Sequence, residues 1–220
     1  MNNEKIHVYL MPGMAANSSI FENIKLPEET FQMHLLEWMI PNKKETLQAY
    51  AKRMTEKIEH DNVVLLGVSF GGILIQEMSK FITVRKLIVV SSVKSKYEYT
   101  TGMKFAKATK IYKVLPTRLV KRIDGLSKYA VSKPIKRRFE LYKKYLSVND
   151  KRYLDWAIQQ VLCWEQEEAN ENAVYVYGKK DSVFSYSPEG NTIAIENGTH
   201  IMIIDKYKWF NKNLPKLMLS

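Results

Sequence analysis

The ten residues Val63-Val64-Leu65-Leu66-Gly67-Val68-Ser69-Phe70-Gly71-Gly72 constrain this chain more than any others. Their apolar start reads as a strand covered on both faces. The strand runs into a G-x-S-x-G pattern, and residues 72–81 have the apolar content of a buried helix. In a sharp strand-to-helix turn the central serine adopts a strained backbone conformation that projects its hydroxyl. Glycines two residues before and after it leave room for close backbone contacts. Ser69 then lies at a helix N-terminus, where backbone N–H groups and the helix dipole favour developing negative charge.

Around this turn, strand and helix signals alternate. Residues 5–11 read as a strand ending at Pro12-Gly13, residues 30–36 as a second strand, and residues 62–66 as the third. Residues 85–91, 172–177 and 192–195 complete the strands. Residues 44–59 read as a helix with Leu47, Tyr50, Ala51, Met54 and Ile58 on one face. A last helix is expected from near Ile201, grouping Ile203, Tyr207, Phe210 and Leu214. This alternation predicts an α/β architecture, a mainly parallel sheet of about six strands with helices on both faces.

The length of 220 residues suits one domain with an insertion. A chain of this size buries roughly 70% of the surface its unfolded form exposes, so it needs no disulfide or metal to fold. Its one cysteine, Cys163, excludes an intrachain disulfide and fits a reducing compartment. No apolar run approaches the ~20 residues of a membrane span, and the first residues lack the apolar stretch of a secretory signal. A cytoplasmic location is therefore expected.

The net charge of +11 is unevenly spread. Residues 94–152 hold 18 Lys and Arg against 4 Asp and Glu, a balance of +14, while the rest holds 16 against 19, a balance of −3. This basic stretch interrupts the alternation between the fourth and fifth strands. It reads as several short helices punctuated by Pro116, Gly125 and Pro134. Ile135, Phe139, Tyr142 and Leu146 form one apolar stripe, and Leu154, Ala157, Ile158, Val161 and Leu162 another. The expected organisation is a core of residues 1–93 and 167–220 with a helical basic insertion at 94–166. The charge, including the cluster Lys136, Arg137 and Arg138, reads either as a solvated lysine face or as weak attraction for acidic substrates and anionic surfaces. No zinc-ligand spacing, RNA-binding aromatic signature or helix-turn-helix pattern accompanies it, so nucleic acid is not an expected partner.

A serine hydroxyl needs a base. His7, His34 and His60 fall within or beside strand signals and read as structural or surface residues. His200 differs, because Glu196-Asn197-Gly198-Thr199-His200 is a turn between the last strand and the last helix. In a parallel sheet that turn shares the carboxyl-end edge with Ser69. Asp181, in Tyr177-Gly178-Lys179-Lys180-Asp181 after the fifth strand, reaches the same edge and can orient an imidazole. Ser91-Ser92-Val93-Lys94, after the fourth strand, offers no carboxylate there. A tetrahedral intermediate also needs oxyanion donors. Phe70 N–H follows the nucleophile, and Met14 N–H is the candidate in the loop after the first strand, where Gly13 is expected to permit a tight turn.

Taken together, these residues resemble the α/β-hydrolase superfamily over residues 5–214, with a helical cap at 94–166. Gly67-Val68-Ser69-Phe70-Gly71-Gly72, Tyr177-Gly178-Lys179-Lys180-Asp181 and Gly198-Thr199-His200 look like its nucleophile, acid and histidine motifs, in its Ser…Asp…His order. The resemblance implies a serine hydrolase without cofactor or metal, acting on a small-molecule acyl substrate. It leaves esterase, thioesterase, C–C hydrolase and lyase chemistry open, as well as oligomeric state. The first loop of many members begins His-Gly, whereas here it is Pro12-Gly13, so the side-chain hydrogen bonds that brace that loop are lost. A ligand-binding protein that merely kept the scaffold is the competing class. Retention of Ser69, Asp181 and His200 together argues against it.

Overall fold

The computed structural model describes residues 5–114 and 144–220. Pro116, Gly125, Pro134, the stripe residues Ile135, Phe139 and Tyr142, and the cluster Lys136, Arg137 and Arg138 lie outside the described residues. The apolar runs pair as six strands: β1 (Ile6–Met11), β2 (Phe31–Leu35), β3 (Val63–Val68), β4 (Lys86–Val90), β5 (Ala173–Gly178) and β6 (Thr192–Ile195). They form one sheet in the order β2-β1-β3-β4-β5-β6, and every pairing is parallel.

Side chains alternate across the sheet as period two requires. Tyr9, Met11, Val63, Leu65, Leu87, Val89, Tyr175 and Tyr177 face one apolar cluster, shared with α1 (Leu47–Thr55) and α2 (Phe70–Met78). Ile6, Val8, Leu10, Val64, Leu66, Val68, Ile88 and Val90 face another. That second cluster is closed by α5 (Met202–Asp205) and α6 (Tyr207–Leu219) through Met202, Ile203, Phe210, Leu214 and Met218. Both faces are thus covered, which explains why β3 reads as an unbroken apolar run rather than an alternating one.

Three helices differ from the sequence expectation. The helix expected over 44–59 is α1, whose start is set by the Thr46 hydroxyl accepting from Ala49 N–H. Lys44, two residues earlier, sits at φ 60° and cannot be helical, and Ile58 packs against the core from beyond the helix end. The helix expected from Gly72 begins at Phe70, because Ser69 itself makes the turn. The single last helix is broken at Lys206 (φ −111°, ψ 23°), which separates α5 from α6.

Between β4 and β5 the described residues hold α3 (Thr101–Thr109) and α4 (Lys151–Cys163). The second expected stripe lies on α4, where Leu154, Ala157, Val161 and Leu162 are buried and Ile158 half-buried. Tyr153 and Trp156 extend the stripe, and its partner is the sheet's own core: the Trp156 ring lies 4.4 Å from Tyr50 and Tyr153 5.3 Å from Trp38. Among the described residues no helix is long and apolar enough to cross a membrane.

The strand order reverses at β1, since the chain goes outward to β2 and returns on the other side to β3. Loops leaving the carboxyl ends of β1 and β3 therefore flank a crevice at the switch point. The segment leaving β2 is tied down beside it. Arg53 Nε and Nη2 donate to Glu45 Oε1 and Oε2 at 2.9 and 2.7 Å, Asn42 N–H donates to Oε2 at 2.7 Å, and Trp156 Nε1 donates to Glu45 O at 2.8 Å. Hydrogen bonds from Arg53 chiefly hold the Glu45 carboxyl below its ordinary value of 4.5. A carboxylate depressed on folding stabilises the fold above its unfolded pKa, and that contribution disappears as pH falls through the folded value. Glu45→Gln is therefore expected to cost roughly 1 kcal/mol at pH 7, after allowing for solvent at Arg53. The gap in urea midpoint between the two proteins should shrink on acidification to about pH 3.5. A gap that stays constant from pH 7 to that point would remove the ion pair as its cause.

Candidate active site

Ser69 occupies the turn between β3 and α2 at φ 53° and ψ −120°, a strained backbone for a residue with a Cβ. Its N–H donates to Val90 O at 2.8 Å, tying the turn to β4. The surrounding glycines are needed for space. A Cβ on Gly67 would lie 2.3 Å from Gly71 O, and one on Gly71 would lie 2.4 Å from Pro12 O. Ser69 stands at the cap position of α2, yet its hydroxyl makes no capping bond. It lies instead 2.9 Å from His200 Nε2.

The other face of His200 meets Asp181. His200 Nδ1 is 2.9 Å from Asp181 Oδ2 and 3.2 Å from Oδ1. The Asp181 side chain is fully buried, and Oδ1 also accepts from Val183 N–H at 2.8 Å and Phe184 N–H at 3.1 Å. These bonds fix the carboxylate while its second oxygen points at the imidazole. The two loops that carry acid and histidine touch through glycines: a Cβ on Gly178 would lie 2.3 Å from Gly198 O. Lys180 N–H donates to that same Gly198 O at 2.8 Å, so the loop after β5 is stitched to the loop after β6.

The loop after β1 approaches Ser69 from the far side of the crevice. Its left-handed residue is Ala15 (φ 63°), whereas Gly13 has no left-handed φ and its missing Cβ would make only ordinary 3.4 Å contacts with Ser69 Cβ and Val68 O. The expected tight turn runs from Gly13 to Ala16, closed by Ala16 N–H donating to Gly13 O at 3.1 Å, and its left-handed position is Ala15 rather than Gly13. Among the described residues no protein acceptor takes the N–H of Met14 or of Phe70.

Sequence reasoning missed Trp38. Its Nε1 donates to Gly13 O at 2.8 Å, and its ring stacks on Phe70 at 4.8 Å and 8°. One side chain thus touches both segments expected to donate to an oxyanion, and it supplies a brace for a loop without the usual His-Gly start. A signal was available, because Trp38 follows the second strand onto the same carboxyl-end edge. Behind it, burial pushes the Tyr50 phenol up and the Tyr153 phenol well above the ordinary tyrosine range, so this aromatic wall carries no charge near neutral pH. A cleft of about 490 Å³, lined by Lys94, Tyr97, Glu98 and Tyr186 among others, touches none of Ser69, Asp181 and His200.

The backbone matches solved structures over its whole length. An esterase from Exiguobacterium antarcticum superposes with a TM-score of 0.65 at 18% identity, covering 100% of this chain and 94% of its own. A carboxylesterase from Nitrososphaera gargenis gives 0.71 at 14% identity over 99% and 91%. A bromoperoxidase from Bacillus anthracis gives 0.67 at 14% identity over 100% and 94%. This chain has the α/β-hydrolase fold. No protein-family model and no curated protein matches its sequence. Within the α/β-hydrolase fold, Ser69, Asp181 and His200 leave three different strands and meet at one edge of the sheet.

Proposed function

We propose that the protein is a serine hydrolase that cleaves a carboxylic ester or related acyl bond. The observation that carries this reading is the hydrogen-bonded chain from Ser69 Oγ through both nitrogens of His200 to a buried, twice-anchored Asp181. A binding protein gains nothing from holding a serine in a strained turn with its hydroxyl against an imidazole. The esterase and carboxylesterase among the structural neighbours agree with the same class.

In this mechanism Ser69 Oγ attacks the acyl carbon while its proton passes to His200 Nε2. Asp181 keeps the other proton on Nδ1 and stabilises the imidazolium. The carbonyl oxygen becomes an oxyanion, which accepts from the N–H groups of Phe70 and Met14. Collapse breaks the bond to the leaving group, which takes the proton from Nε2, and the acyl group stays on Ser69. Water then attacks the acyl-enzyme with His200 again as base, releasing the acid and restoring the hydroxyl. Trp38 acts as a positioning residue by holding Gly13 and Phe70 in one arrangement. The basic insertion is the part of the chain from which we expect substrate selection.

A fluorophosphonate probe tests the reading directly. It should label folded protein stoichiometrically at Ser69, and peptide mapping should find no second site. Folded protein that stays inert to the probe and to activated esters would make it a ligand-binding α/β-hydrolase homologue instead.

A further inference from the structure

The histidines that take no part at Ser69 are not scattered. We propose that His7, His34 and His60 form a site for one transition-metal dication of the zinc class, apart from the catalytic crevice. The sheet register brings them together. Tyr9 on β1 pairs with His34 on β2, and His7 lies two residues before Tyr9, so all three side chains share the face that carries α1 and α2. His60 reaches the same face from the connection between α1 and β3. The His7 and His60 rings stack with centroids 3.7 Å apart, and His34 lies 5.2 Å from His7 and 4.7 Å from His60.

Each ring offers one nitrogen such that all three lie within 4.8 Å of one another. Zinc–imidazole bonds of about 2.0–2.1 Å in a tetrahedral site place ligand nitrogens about 3.4 Å apart. His7 Nδ1 and His34 Nε2 are already 2.9 Å apart, and closing the set requires the stacked His7 and His60 rings to turn out of their parallel arrangement, because each lone pair lies in its ring plane. In the metal-free protein the His7–His34 contact holds one proton. On binding, the donor ring moves it to its other nitrogen, so both rings stay neutral and each turns a lone pair to the ion.

The surroundings resemble those that orient metal-bound imidazoles. His60 Nδ1 lies 2.7 Å from the Tyr9 hydroxyl, whose oxygen accepts from Glu59 N–H at 3.1 Å. With Nδ1 engaged in this way, Nε2 becomes the ligand atom. The fourth position falls to water. A groove of about 460 Å³, lined in part by Tyr9, His34, Lys57 and Glu59, gives access from solvent. Three imidazoles with one open position suit zinc, copper, nickel or cobalt rather than calcium or magnesium. His7 lies four residues, or roughly 13 Å, before the carboxyl end of β1. We therefore assign the ion a clamping role on β1, β2 and the connection into β3.

The test is calorimetric titration of untagged protein with zinc chloride, paired with thermal melts. One equivalent should bind with a Kd of about 1 µM or tighter. At free zinc a hundredfold above Kd, Tm should rise by about 5–10 °C. Cobalt should give the intense visible bands of a tetrahedral site. His34→Gln/His60→Gln should weaken zinc binding by about a hundredfold or more, while His200→Ala leaves it unchanged. Absence of saturable binding below about 100 µM, binding that survives the double substitution, or binding lost in His200→Ala would each overturn the site. Should the double variant fail to fold, wild-type protein decides: zinc must protect His7, His34 and His60 from diethyl pyrocarbonate while His200 still reacts.

Discussion

Ser69→Ala and His200→Ala are each expected to lower kcat by about 10⁶-fold on an activated ester, and Asp181→Asn by a smaller factor, about 10⁴. The reason is the shared proton. With His200 Nε2 2.9 Å from the Ser69 hydroxyl, neither group has a task once the other is gone. The double variant Ser69→Ala/His200→Ala should therefore be no slower than either single one. Multiplicative losses would show that the two act in separate steps. KM should move little in the same variants, because the interactions removed are made in the transition state. The smaller effect at Asp181 follows from its geometry. Asparagine can keep the anchoring bonds from Val183 and Phe184, and with them the loop, while losing the charge that favours the imidazolium.

Gly71→Ala is expected to destabilise the fold by about 3 kcal/mol or more, although alanine is the better helix former by about 1 kcal/mol. The new Cβ would lie 2.4 Å from Pro12 O and 2.6 Å from Met11 O. Both are backbone atoms of β1 and its exit, so relief requires moving the strand or the Ser69 turn. Gly13→Ala is the matched control, since its Cβ would meet only 3.4 Å contacts. Urea midpoints and the rate of covalent labelling at Ser69 would be read together on both variants. If Gly71→Ala matched the control in both, the close approach of α2 to β1 would not be what the glycine serves.

The parts of the fold that were legible in the sequence share a physical cause. Parallel strands buried on both faces leave continuous apolar runs, and residues 62–66, 85–91 and 172–177 show them. A sharp strand-to-helix turn needs glycines at fixed offsets, so Gly67 and Gly71 marked the Ser69 turn. The sheet being parallel then put Asp181 and His200 on the same edge. What was hidden depends on contacts between distant segments. Nothing near Trp38 in sequence says that its indole reaches Gly13 O. His7, His34 and His60 read as structural or surface residues within or beside strand signals, and only the pairing of Tyr9 with His34 together with the path from α1 into β3 makes them neighbours. Helix limits failed for local reasons, a left-handed Lys44 and a broken turn at Lys206, that apolar periodicity does not register.

Ser69 and His200 are 131 residues apart in sequence, and the strands that deliver them, β3 and β6, do not touch each other in the sheet. Their meeting requires β4 and β5 to be in place between them and the Gly178–Gly198 stitch to be closed. Under the proposed mechanism, each molecule that captures a covalent probe has therefore completed its assembly, whereas circular dichroism also counts partly built sheets. Probe capture on this chain is a headcount of finished molecules, usable in crude extracts to follow folding yield without purification.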